Sequence, residues 1–95
     1  MRYVVSYDIV SDRTRRKLAK LLEGYGVRIQ YSVFECSLDE KRFKKMYVEI
    51  FQLLEEDHEG SVRFYALCKN CENKIVTVGK PMGELELMRS DVIVV

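Results

Sequence analysis

Apolar and polar positions alternate from the start of the chain. Tyr3, Val5, Tyr7 and Ile9 fall on one face of an extended segment over residues 2–10, and Val4, Ser6, Asp8 and Val10 fall on the other. This period of two predicts a sheet strand with Asp8 near its end, on the face it shares with Ser6. The period then lengthens to that of an amphipathic helix through Leu18, Leu21, Leu22 and Tyr25, and Gly24 and Gly26 supply its stop. Residues 27–36 return to extended patterning. Ser37 and Glu40 follow at the spacing of a capping box, ahead of a long helix whose expected buried stripe is Phe43, Met46, Tyr47, Ile50, Phe51 and Leu54. Residues 61–67 and 74–79 read as further strands, and 91–95 as a last apolar one.

An order of strand, helix, extended region, helix and strand belongs to the α+β class. If the middle region folds back as a hairpin near Gln30, Tyr31 and Ser32, the result is a ferredoxin-like β-α-β-β-α-β sandwich, with both helices on one face of an antiparallel sheet. No Asn-Gly or similar turn signal is present, so one bent strand stays open as an alternative. The expected organisation is a ferredoxin-like domain over residues 1–80 and a C-terminal strand extension over 81–95. That extension is equally open to pairing with a second subunit or partner and to pairing within its own chain. A sheet face without helices must meet water or another subunit, so a twofold homodimer is expected, with two copies of a strand-end residue near its axis.

Composition narrows the class without naming a partner. Ninety-five residues, 47% hydrophobic and 33% charged, suit one compact domain. Net charge is only +1, so affinity for nucleic acid must come from local clustering of the 16 Lys and Arg. The apolar runs are short and interrupted by charge, and three cysteines suit a reducing compartment, so a cytoplasmic protein with no membrane segment is expected. Cys68 and Cys71 have the spacing of a redox or zinc half-site but lack a second such pair, and a plain turn is the simpler reading. Cys36 is expected to be buried, and His58 to sit in an acidic loop without a catalytic role.

Chemistry concentrates after the first strand. Asp8 is followed by Arg13, Arg15, Arg16 and Lys17, and a carboxylate beside several cations suits metal-assisted chemistry on a phosphate backbone. Ser11 or Asp12 as a helix cap, with Asp8 a solvated turn residue, is the plainer alternative. Tyr7-Asp8-Ile9, the arginines opening the first helix, and the segment from Arg28 to Glu35 (Arg-Ile-Gln-Tyr-Ser-Val-Phe-Glu) resemble the CRISPR-associated protein two family. The resemblance implies a ferredoxin-like homodimer that works with the CRISPR integrase in spacer acquisition. It also implies metal-dependent endonuclease activity on single-stranded RNA or on DNA.

By that resemblance Asp8 is the metal-binding and catalytic aspartate, paired with its symmetry mate, and Tyr7 is its motif neighbour. Arg15 stands at a second catalytic position, and Arg28 and Phe34 match the family's second segment; together with Arg13, Arg16 and Lys17 of the basic run they form the expected nucleic-acid-binding set. Phe34 would stack a base, although a phenylalanine in a strand is more often core. The implied cofactor is magnesium, with manganese fitting the same hard ligands. The same residues also permit a catalytically silent DNA-binding scaffold of the integration complex. A ferredoxin-like regulatory domain that binds a small ligand is a weaker third reading.

Overall fold

The computed structural model describes residues 1–56, 59–80 and 93–94. His58 and all of the expected C-terminal extension over 81–95 except residues 93–94 lie outside the described residues. The chain runs through β1 (Arg2–Ile9), α1 (Asp12–Glu23), β2 (Val27–Gln30), β3 (Val33–Ser37), α2 (Glu40–Glu55) and β4 (Gly60–Leu67). A short helix α3 (Lys69–Glu72) then leads to β5 (Val76–Thr77) and β6 (Ile93–Val94). The main sheet has the order β2-β3-β1-β4 with every neighbouring pair antiparallel, which is the ferredoxin-like topology with an added C-terminal strand pair.

Alternation in β1 partitions as its pattern predicts. Val5, Tyr7 and Ile9 are buried and pack with Phe34 and Cys36 of β3 against Leu18 and Leu22 of α1 and Met46 and Ile50 of α2. Asp8 is exposed on the opposite face. Ser11 caps α1 by accepting a hydrogen bond from the Thr14 N–H, so the helix starts directly after the strand.

The middle segment is a hairpin, and contacts distant in sequence hold its turn. The Tyr7 N–H donates to the Ser32 carbonyl at 3.0 Å, and the Tyr7 hydroxyl donates to the Tyr31 carbonyl at 3.1 Å. Gly26 is required where the chain enters β2, because a Cβ there would lie 2.3 Å from the Glu35 carbonyl oxygen and 2.5 Å from Cys36 Sγ.

Three expectations change. Asp39, not Ser37, caps α2, accepting from the Arg42 N–H at 2.8 Å. Ser37 is instead the last residue of β3, paired with Arg2, and Leu38 is buried beyond it, so the helix cannot begin until two residues later. The stripe of α2 is also narrower than its periodicity suggests. Met46 and Ile50 are buried, but Tyr47 and Phe51 are 47% and 54% exposed. They continue an aromatic row from Phe43 and Phe64 past β4, the edge strand, where no further strand lies beneath them among the described residues. Finally, the strand expected over residues 74–79 shortens to Val76–Thr77, which pairs in parallel with Ile93–Val94 of the same chain.

On the helix-free face, Arg2 bridges Glu35 at 3.2 Å and Glu72 at 3.0 Å, all three largely buried. This ties α3 to the start of β1. Desolvation raises the Glu35 pKa above its ordinary value, the Arg2 charge opposes that shift, and nearby Glu72 adds to it.

Candidate nucleic-acid and metal site

The end of β1, the start of α1 and the tip of the β2–β3 hairpin enclose a cleft of about 440 Å3. Its walls carry Asp8, Arg15, Arg16, Arg28, Tyr31 and Ser32. Of the charged residues among them, three are arginines and one is the aspartate, so the cleft is locally cationic in a chain of net charge +1. Asp8 makes no ion pair among the described residues and lies two residues beyond the end of the β1–β3 pairing at Ser6, on a stretch held by β4, where it faces Ser61. Gly60 comes against its backbone: a Cβ on Gly60 would lie 2.7 Å from the Asp8 carbonyl oxygen, and its φ of +125° is one that side-chain-bearing residues rarely adopt.

The cations have distinct placements. Arg15 is folded onto the strand end, donating to the Ile9 carbonyl at 2.9 Å and the Val10 carbonyl at 3.4 Å while pairing with Asp12. Its guanidinium therefore fixes the backbone that presents Asp8 as well as contributing charge. Arg16 is exposed beside the cleft. Arg13 and Lys17 do not share it. They line a separate recess with Leu53 and Glu56 at the end of α2. Arg28 lies with its guanidinium carbon 5.3 Å from the Phe34 ring centroid, and its buried Nε has no hydrogen-bond partner among the described residues.

Phe34 corrects its expected role. Its side chain is fully buried, with Tyr7 stacked on it in the core and Arg28 over its ring, so it supports an arginine and offers no face to a base. Tyr7 is likewise buried, its hydroxyl spent on the hairpin turn. Gly60 and the turn residues Tyr31 and Ser32 are parts of the site that their spacing alone does not single out. A glycine directly before a strand was the visible signal for the first, but the others depend on which way the middle segment folds. Among the described residues no three His, Cys, Asp or Glu side chains converge as a metal cluster, and no helix is long and apolar enough to cross a membrane.

Residues 1–75 match the family model for CRISPR associated protein Cas2. The chain belongs to the Cas2 family. A relative from Synechocystis, named CRISPR-associated endoribonuclease Cas2 3, is 43% identical over 79 residues, covering 83% of this chain and 85% of its own. The crystal structure of Streptococcus pyogenes Cas2 at pH 6.5 aligns with a TM-score of 0.69 and 35% identity, over 79% of this chain and 95% of that one. A chain of a partial Cas6-RT-Cas1–Cas2 complex aligns with a TM-score of 0.67 and 37% identity, over 74% and 81%. The general role of this Cas2 family member is accordingly of the CRISPR Cas2 type, and its relatives carry the names endoribonuclease and endonuclease.

Proposed function

We propose that the chain acts in CRISPR spacer acquisition as a homodimer that bridges integrase subunits and binds DNA, and that the dimer also hydrolyses phosphodiester bonds of single-stranded RNA or DNA with a divalent metal. The observation that carries this reading is the exposed Asp8 carboxylate at the mouth of a cleft whose other charges are Arg15, Arg16 and Arg28. The likeness to a chain of a Cas1–Cas2 complex supports the integrase partner.

Magnesium suits such a donor set, since it binds through one or two carboxylates and otherwise keeps its waters. One protomer contributes one Asp8 carboxylate, and the Arg15 guanidinium on the neighbouring Ile9 and Val10 carbonyls disfavours a cation at those oxygens. Two protomers opposed through their helix-free faces would contribute two, whose mutual repulsion favours a shared cation. Magnesium or manganese held there would supply a Lewis acid and a bound water more acidic than bulk. Arg16 binds the phosphate backbone from the cleft wall, Arg28 adds positive charge from the hairpin, and Arg15 holds the strand end in place while offsetting charge on the reacting phosphate. Arg13 and Lys17 lie off the cleft and extend the backbone-binding surface along α1.

The scaffold role is the cellular one in this reading, and hydrolysis is secondary. The division of the cations favours that ranking, because Arg13 and Lys17 stand apart from Asp8 and could contact a phosphate backbone without it. The test compares wild type with Asp8→Ala on labelled RNA, single-stranded DNA and duplex DNA, with magnesium or chelator, while duplex binding is followed in the same samples. Metal-dependent cleavage lost in the variant, with binding and spacer acquisition retained, is expected. Acquisition abolished in a folded, DNA-binding variant overturns the ranking, and cleavage undiminished in the variant overturns the Asp8 site.

A further inference from the structure

Cys68 and Cys71 take no part in the nucleic-acid cleft, yet their geometry is specific. β4 ends at Leu67, and Cys68 is extended (φ −69°, ψ 168°) as the cap of α3, where its Sγ accepts the Cys71 N–H at 3.4 Å. The first sulfur therefore sits over the helical turn that carries the second. Both thiols are free and exposed, whereas Cys36 is buried. Residues three apart on a helical turn have Cβ atoms about 5–6 Å apart, close to the roughly 3.5–4.5 Å that a disulfide needs, so a small adjustment joins them.

We infer that Cys68 and Cys71 form a reversible dithiol–disulfide site that reacts with low-molecular-weight disulfides of the glutathione class, with Cys68 as the attacking sulfur and Cys71 as the resolving one. The two thiols are electrostatically unlike, as such a pair requires. Hydrogen bonding from the Cys71 N–H lowers the Cys68 pKa, and the hydrogen bond shared with Cys68 raises that of Cys71. In the first step the Cys68 thiolate attacks one sulfur of the small disulfide, forming a mixed disulfide and releasing one small thiolate. Cys71 then loses its proton to solvent and attacks the Cys68 sulfur, closing the internal disulfide and releasing the second thiolate. Two protein thiols are oxidised and one small disulfide is reduced to two thiols. Zinc is a poorer match, since two thiolates are half of a tetrahedral set and no third ligand joins them among the described residues.

The site lies on a structural joint. Glu72, next to Cys71, is the α3 residue that bridges Arg2, which in turn holds Glu35 of β3. Closing the disulfide constrains the turn that fixes this ion-paired cluster and directs the chain into β5.

The experiment equilibrates the reduced full chain in glutathione buffers of rising oxidised fraction, quenches with acid, alkylates in denaturant and measures intact mass. Wild type is expected to convert to a species lighter by two hydrogens, with one alkylated cysteine that peptide mapping assigns to Cys36. Cys71→Ser is expected to stop with one glutathione on Cys68, because the resolving thiol is gone. Serine caps a helix as well as the cysteine it replaces, so Cys68→Ser keeps the turn folded and is expected to react more slowly than Cys71→Ser. Two bound glutathiones without an internal disulfide, disulfides between chains, or persistence of both thiols at every ratio would each overturn the inference. Stoichiometric zinc retained on purification and protecting both thiols would overturn it in favour of a metal site.

Discussion

Substitution of Gly60 by alanine tests whether the backbone behind Asp8 is as tightly determined as its contacts indicate. The φ of +125° at Gly60 costs a side-chain-bearing residue about 1–3 kcal/mol. The added methyl would also lie 2.7 Å from the Asp8 carbonyl oxygen, 2.8 Å from Ile9 Cδ1 and 3.1 Å from Ile9 Cα. The first and last of these neighbours are backbone atoms of β1 held by pairing with β4 and by the Arg15 bond to the Ile9 carbonyl, and cannot give way cheaply, so overpacking adds about 1–3 kcal/mol. Reduced entropy of the unfolded chain returns about 0.4–1 kcal/mol. A net loss of about 3 kcal/mol follows, or roughly 12–24 °C in Tm for a domain of this size.

Gly79 is the internal control. It also has positive φ, at +98°, but a Cβ there meets nothing within 4 Å, so Gly79→Ala carries dihedral strain without overlap. Urea and thermal unfolding of both variants separate the two costs. At temperatures where Gly60→Ala is still folded, the displaced Asp8 backbone is expected to reduce metal-dependent cleavage beyond any loss of folded protein. A Gly60→Ala protein no less stable than Gly79→Ala, with cleavage at the wild-type rate, would refute the claim that Gly60 positions Asp8.

Phe34→Leu keeps most of the apolar volume under Arg28, so it is expected to cost about 1 kcal/mol in urea unfolding and to leave single-strand binding unchanged, where a base-stacking residue would lose affinity. Tyr7→Phe removes the bond to the Tyr31 carbonyl and is expected to cost about 1 kcal/mol, read out as faster amide exchange in the β2–β3 hairpin than in β4. Glu35 has a raised pKa in the folded chain, so its contribution to stability is fully present below the unfolded value and fades as pH rises through the folded one. Glu35→Gln removes that proton linkage, and the fall in stability with rising pH from about 4.5 upward is expected to be shallower in the variant than in wild type. Identical pH profiles would remove Glu35 as its source.

Local periodicity was enough to place most elements and the inward faces of β1 and α1. A strand's period of two and a helix's longer period depend only on neighbours in the chain, so Val5, Tyr7, Leu18 and Leu22 announce their burial without knowledge of their partners. The motif around Asp8 was equally visible. What local pattern leaves undetermined is which distant group completes a contact. The hairpin has no turn signal of its own, and its closure rests on Tyr7, which bonds both turn carbonyls from β1. Ser37 and Asp39 are both competent caps, and pairing of Ser37 with Arg2 gives the role to Asp39. Tyr47 and Phe51 repeat at the spacing of buried residues, but the sheet ends beneath them at β4. The cations of α1 were recognisable as a run, yet their division between the cleft of Arg15 and Arg16, which Arg28 joins from β2, and the recess of Arg13 and Lys17 follows from the angular position of each residue on the helix. Sequence by itself determined most of the elements and the chemistry available to them, because both follow from residues a few positions apart. Only the tertiary structure decided which side chains are spent on the fold and which remain to meet a ligand, because that depends on partners brought together from across the chain.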